Sequence, residues 1–204
     1  MAKRARFLLI PIIFLLLTPA AAPGSRGPTD QVRETVDRVI ELLKDKEMDS
    51  GKRRQMLSSL IRKRFEFRIM SQQVLATNWK KANPDERDRF VTLFSDLLEN
   101  TYMERIEAYT DEKVEYVNEK VRDDRAIVET IIVTKTADIP IRYKLVMKGD
   151  EWLVYDVVIE EVSLIRNYRS SYREIVMKDG IEGLLARMEE KVKEMNETSK
   201  KAEK

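Results

Sequence analysis

Two residue types are missing altogether: the 204-residue chain contains neither histidine nor cysteine. Without histidine it lacks the commonest general base and metal ligand. Without cysteine it has no thiolate nucleophile, little zinc chemistry, no disulfide staple and no thiol to acylate. Glycine is scarce too, at six residues, and none of them builds a rich loop. No GxSxG, GxGxxG or GxxxxGK occurs to seat a nucleophile or cradle phosphates. Catalysis would fall to carboxylates, serines and lysines. The adjacent acids Asp123–Asp124 and Glu160–Glu161 are unaccompanied by a nucleophile or a metal site, and acids at turns and strand ends are ordinarily solvated surface. No enzyme class is indicated.

What is present at the start has the three-part layout of a secretory signal peptide: Lys3, Arg4 and Arg6, an apolar run over Phe7–Leu17, and small residues at Ala20, Ala21 and Ala22. That run is eleven residues, too short to span a bilayer. Residues 1–24 are therefore expected to be a cleaved leader, with the cut after Ala22 or near Gly24 or Ser25. The formal net charge is +2, and removing the three leader cations leaves 35 basic against 36 acidic residues. A balance near zero lacks the electrostatic footprint of nucleic-acid binding. The remaining length of about 180 residues suits one domain with a real core, expected over 25–197, followed by a polar, frayed tail over 198–204.

Helical spacing comes first along the chain. Val32, Val36, Val39, Ile40 and Leu43 form one apolar face, with Thr29 or Asp30 available as cap. A second pattern, Met56, Leu57, Leu60 and Ile61, follows Asp49–Ser50, and a short third passes through Ile69, Met70, Val74 and Leu75. Asn83-Pro84-Asp85-Glu86 has the form of a capping box with proline at the first helical position. The stripe Phe90, Phe94, Leu97, Leu98, Thr101, Tyr102, Ile106, Tyr109 continues from it and needs a large partner surface.

After Asp111 the period becomes two, giving strands near 113–121, 125–136, 139–148 and 151–160 with turn-like links at Asp123–Asp124, Ala137–Asp138 and Gly149–Asp150. Short links join antiparallel neighbours, so a meander is expected. Alternation places Ile141, Tyr143, Leu145 and Met147 on one face and Arg142, Lys144 and Lys148 on the other. The same rule groups Leu153, Tyr155, Val157 and Ile159, and takes Ala126, Val128, Thr130, Ile132 and Thr134 inward. The helical period returns from Val162, with Ile165, Tyr168, Tyr172 and Ile175 on one side and Arg166, Arg169 and Arg173 on another, until Lys178-Asp179-Gly180 interrupts it. A last helix is expected over 181 to about 195. Helices first and sheet second means α+β: a four-stranded, or five-stranded, antiparallel meander packed by amphipathic helices.

Four blocks carry a resemblance. They are Arg64-Phe65-Glu66-Phe67 with Met70 and Val74-Leu75; Trp79-Lys80 through Asn83-Pro84-Asp85-Glu86-Arg87 to Phe90, Phe94, Leu97-Leu98, Thr101-Tyr102 and Tyr109; Trp152-Leu153-Val154-Tyr155-Asp156-Val157; and Val162-Ser163-Leu164 with Asn167-Tyr168-Arg169-Ser170. Together they resemble the MlaC, or toluene-tolerance, family of periplasmic phospholipid carriers. Ala76-Thr77 replaces the glycine of that family's Leu-Gly continuation, Glu161 stands where it commonly has glycine, and Tyr172 where phenylalanine is usual. The first two departures bear on local turn geometry.

The resemblance implies a periplasmic carrier that takes phospholipid between an outer-membrane lipoprotein–porin complex and an inner-membrane ABC transporter complex with an MCE-domain protein. It implies no cofactor beyond the lipid cargo. Shielding roughly 30 methylenes of two acyl chains is worth on the order of 20 kcal/mol, yet a bilayer shields them equally, so direction must come from the partners. The expected tail contacts are Phe94, Leu97, Leu98, Val128, Ile132, Ile141, Tyr143, Leu145, Tyr155, Val157, Ile159, Leu164 and Tyr168. Arg142, Arg166 and Arg169 are the candidates for the phosphate end, because a guanidinium fork suits phosphate. Two other readings stay open: an adaptor with a filled core, and a carrier of a hopanoid or other terpenoid.

Overall fold

Proline at the first helical position opens α1 (Pro28–Lys44), where the missing N–H would have had no partner anyway. The computed structural model describes residues 26–108 and 112–202, the last four by backbone alone; the expected leader, its cleavage site and Tyr109 lie outside them. Gly27, rather than Thr29 or Asp30, is the N-cap, and it supplies no side-chain bond. The first turn is completed from a distance: Glu119 Oε2 accepts the Thr29 amide at 2.8 Å, setting a carboxylate at the positive end of the helix.

Helix α2 (Ser50–Arg64) starts on Asp49, whose side chain accepts the Lys52 amide at 2.9 Å. After α3 (Phe67–Leu75) the chain turns sharply at Ala76 (φ 51) into a short 3-10 stretch, Ala76–Lys80. Helix α4 (Pro84–Glu107) has the full capping box, with Asn83 and Glu86 bonded reciprocally.

Five antiparallel strands follow in sequence order: β1 (Lys113–Arg122), β2 (Arg125–Val133), β3 (Asp138–Lys148), β4 (Glu151–Ile159) and β5 (Val162–Ser163). The α+β meander is thus as expected, and its fifth strand is two residues long. Helix α5 runs Leu164–Ala202 and is interrupted at Gly180 (φ 73, ψ −175), a conformation that glycine adopts without strain. Its distal part continues to Ala202 instead of ending near residue 195.

Three buried clusters result. One joins α3, α4 and α5 around Met70, Phe90, Phe94, Leu98, Tyr172 and Leu184. A second lies on one face of the sheet beneath α1, around Val32, Val128, Leu145 and Trp152. The third fills the far ends of α1, α2 and α4 with Leu42, Leu43, Leu57 and Met103. Gln31 and Arg64 fasten the helices to β4. Gln31 Oε1 accepts the Trp152 amide and Arg64 Nη1, each at 2.9 Å, while Arg64 Nη1 also donates to the Trp152 carbonyl at 2.9 Å. Next in the chain, Phe65 bridges to Val154 as a parallel pair. The α2–α3 corner is therefore held to the strand by main chain as well as side chain.

Candidate functional site

Strand pairing arranges the face beneath α1 in rows, because directly opposed residues point the same way. From the β2–β3 turn inward, the first row is Val114, Ile132 and Ile139, and the second is Tyr116, Thr130, Ile141 and Ile159. Glu119, Val128, Tyr143 and Val157 make the third, Val121, Ala126, Leu145 and Val154 the fourth, and Met147 with Trp152 the last. Apart from Glu119 at the edge and the hydroxyls of Thr130, Tyr116 and Tyr143, this surface is apolar.

Burial grades along those rows. Val114, Ile132, Ile139, Ile141, Ile159, Tyr116 and Tyr143 are half-buried, whereas Val128, Leu145, Val154 and Trp152 are closed over. One end of the face is open; the other is covered over β2, β3 and β4 by α1, Phe65 and the start of α5, with Val121 left exposed at the β1 edge. The six steps along β3 from Ile141 to Met147 cover about 20 Å at ~3.3 Å per residue. One leaflet of bilayer hydrocarbon is about 15 Å deep, so the face is long enough for an acyl chain.

Four hydroxyls among the buried groups are without a hydrogen-bond partner among the described residues: Tyr116, Thr130, Tyr172 and Ser71. Burial pushes the Tyr116 hydroxyl up, with Asp37 and Tyr143 adding to the rise and Arg33, stacked 3.9 Å from the ring centroid, opposing it. Burial also pushes Tyr143 up, opposed by the neighbouring Thr130; even so, Thr130 Oγ1 reaches no hydrogen-bonding geometry. Tyr143 itself is only half-buried.

A model of the family described as MlaC protein matches residues 33–190. The chain belongs to the MlaC family. It is 26% identical over 124 residues to the intermembrane phospholipid transport system binding protein MlaC of Haemophilus influenzae, a match covering 58% of each chain, so it spans rather more than half of that curated relative. It also superposes, with a TM-score of 0.76 at 20% identity, on the phospholipid-binding protein of Ralstonia solanacearum in complex with a phospholipid, covering 84% of this chain and 99% of that one. At that identity the likeness establishes a shared fold.

Within this MlaC-family frame, the residues expected to contact tails fall into two groups. Val128, Ile141, Tyr143, Leu145, Val157, Ile159 and Leu164 gather on or against the sheet face, and Ile132 lies at its open end. Phe94, Leu98 and Tyr168 belong to the helical cluster, where the Phe94 and Tyr168 rings meet edge-on at 5.2 Å; Leu97 is buried on α4. Phe65 and Tyr102 pack against both clusters and link them.

Tyr155 is a correction. The register slips between Lys144 and Leu145, pairing Asp156 with the former and Val154 with the latter, so Tyr155 is an extra bulged residue. Trp152 and Val154 take the inner positions that unbroken alternation gave to Leu153 and Tyr155. The Tyr155 ring packs instead against the helical cluster, with the Arg125 guanidinium 4.9 Å from its centroid. A bulge carries no mark in a run as uniformly apolar as this strand.

Nor do all three arginines converge, although Arg142 and Arg166 both reach Glu161. Arg142 lies on the opposite sheet face from Tyr143, ion-paired to Glu129 at 3.0 Å and Glu161 at 3.2 Å. Arg169 Nε donates to the Gln73 carbonyl at 2.7 Å. Arg166 Nη2 reaches the Glu161 carbonyl at 3.5 Å, in the turn that follows Ile159, and so flanks the open end. A separate groove of about 480 Å3 is lined by Asp85, Asp88, Arg89, Thr92, Leu93 and Glu189, too charged for acyl chains. Tyr102, Tyr116 and Trp152 were not singled out as site residues; Tyr116 could have been, as the aromatic alternating with Val114. Among the described residues no helix is long and apolar enough to cross a membrane.

Proposed function

We propose that this protein is an exported, periplasmic carrier of phospholipid, its acyl tails lying along the sheet face between Ile141 and Trp152 and its head group at the open end beside Ile159. The observation that carries the reading is the graded face: about 20 Å of apolar surface, half-open at one end and covered over β2, β3 and β4 at the other, in a chain of the MlaC family. Two features add support. The buried residues of sheet and helices form separate clusters linked through partly buried Phe65 and Tyr102, whereas a filled core joins into one. The curated relative's name and the phospholipid in the superposed structure point to the same cargo.

Of the three arginines, Arg166, which reaches the Glu161 carbonyl, is proposed to meet a phosphate at the rim; Arg142 is ion-paired to Glu129 and Glu161, and Arg169 bonds the Gln73 carbonyl. Delivery is proposed to run between the outer-membrane lipoprotein–porin complex and the inner-membrane MCE-domain transporter. Because bilayer and pocket shield tails about equally, these partners, by docking with one conformer more tightly, set the direction. The test is native mass spectrometry and organic extraction of protein purified from its export compartment. Stoichiometric diacyl phospholipid is expected; a protein that retains no lipid contradicts the reading.

A further inference from the structure

The second row of the inner face is not apolar. Tyr116 and Thr130 are directly paired across β1 and β2, and Tyr143 lies one row deeper on β3, opposite Val128. Thr130 is 1% exposed, and its Oγ1 and the Tyr116 hydroxyl are both buried without a partner among the described residues. An unmade hydrogen bond on a buried hydroxyl is unfavourable, and two in adjacent positions call for an explanation. Valine and phenylalanine would fill the same space on a face that is otherwise almost wholly apolar.

Position supplies the explanation. The half-buried first row, Val114, Ile132 and Ile139, lies outside these hydroxyls, and beyond Tyr143 the face is apolar and closed over at Ala126, Leu145, Val154 and Trp152. If tails fill the closed rows and a head group stays at the rim, the part of the lipid level with Thr130 is the junction between glycerol and acyl chain. In a diacyl lipid that junction carries ester carbonyls, which accept hydrogen bonds and have no proton to give. Two unused hydroxyl donors match it.

Resting on the carrier reading above, we propose that Tyr116 and Thr130, with Tyr143 beside them, form a subsite for an acyl ester carbonyl, so that the protein selects ester-linked diacyl lipids over ether-linked lipids and hydrocarbon-like terpenoids. The subsite lies inside the apolar face and is independent of the phosphate. Arg166 at the rim has no part in the discrimination.

The experiment is competition. Protein stripped of lipid is incubated with vesicles containing equal amounts of diester and diether phosphatidylethanolamine of the same chain length, and the bound lipid is identified by native mass spectrometry. Wild type is expected to take the diester about tenfold in preference, the effect of one or two hydrogen bonds satisfied rather than left unmade. The double variant Tyr116→Phe, Thr130→Val should load both lipids equally, and Thr130→Ser, which keeps a hydroxyl, should retain the preference. Tyr143→Phe, at a half-buried position, serves as the second probe and should lower it severalfold. Equal uptake by wild type, or an undiminished preference in both the double variant and Tyr143→Phe, overturns the subsite while leaving the carrier intact. Wild type that takes up neither lipid overturns both.

Discussion

The Ser163 hydroxyl donates to the Asp156 carboxylate at 2.8 Å, joining the bulged strand β4 to the first turn of α5. The same carboxylate accepts the Ile165 amide at 3.2 Å and Lys144 Nζ at 2.9 Å, and Ser163 Oγ in turn accepts the Arg166 amide at 3.2 Å. One buried acid thus caps the helix that runs beside the open end of the site. Asp156→Ala should destabilise the fold by about 3 kcal/mol, since it strips these donors of their acceptor inside the molecule. Asp156→Asn keeps an oxygen for Ser163 and should lose roughly half as much. Urea midpoints check both, and an unchanged midpoint for Asp156→Ala would deny the carboxylate this role.

Backbone strain falls where the sequence departs from the family it resembles. Ala76 has φ 51 and Glu161 φ 67, and both stand where the resemblance points to glycine. Glu160 at φ 47 and Glu161 form the two-residue link between Ile159 and Val162, with both residues left-handed as in a type I′ turn. Left-handed backbone is unfavourable by about 1–2 kcal/mol for a residue with a Cβ, against roughly 0.5–1 kcal/mol of extra chain entropy for glycine. Ala76→Gly and Glu161→Gly should each stabilise, raising Tm by up to about 2–4 °C for a chain of this size. Differential scanning calorimetry decides, and a lower Tm for both variants would mean that the strain is not there.

Tyrosine makes the fold sensitive to alkali. Burial raises the hydroxyl pKa of Tyr102, Tyr116, Tyr143, Tyr168 and Tyr172. In the unfolded chain these groups ionise near pH 10, so above that pH the unfolded state holds fewer protons than the folded one and stability falls as pH rises. Below about pH 10 both states are neutral and the effect vanishes. Each tyrosine contributes a slope of up to about 1.4 kcal/mol per pH unit between its two values. Tyrosinate absorbance should therefore appear in one cooperative step together with loss of helical circular dichroism. Gradual ionisation of a chain that stays folded would contradict this.

Elements governed by near neighbours were legible in the residues. The Asn83–Glu86 box, the Asp49 cap, the interruption at Gly180 and the three short strand links all rest on contacts a few positions apart. Features governed by distant partners were not. Thr29 looks like a cap, but its amide is claimed by Glu119 ninety positions on. Asp156 reads as one more polar residue in a strand until the pairing of Val158 with Ser163 sets Ser163 beside it on the same face. The face that would hold a lipid was half legible: β3 was placed correctly, β4 was shifted by the bulge, and the arginines could not be sorted because their partners, Glu129, Gln73 and the turn at Glu161, come from elsewhere in the chain.

Tyr143 and Leu145 are two positions apart on the same face of β3, the first half-buried and the second closed over, and together they distinguish a hollow from a filled interior. Leu145 is fully buried, so Leu145→Trp must overpack its surroundings and should destabilise by about 1–3 kcal/mol or more. Tyr143 is half-buried, so Tyr143→Trp has room to extend into the space a tail would use. It should leave the urea midpoint within about 0.5 kcal/mol of wild type, the range of substitutions that disturb no packing, while lowering the lipid-to-protein ratio after purification severalfold. An adaptor with a solid interior predicts otherwise for Tyr143→Trp, with both variants destabilised alike and no bound lipid to lose. Measuring stability and lipid content on the same two variants therefore distinguishes carrier from adaptor without any transport assay.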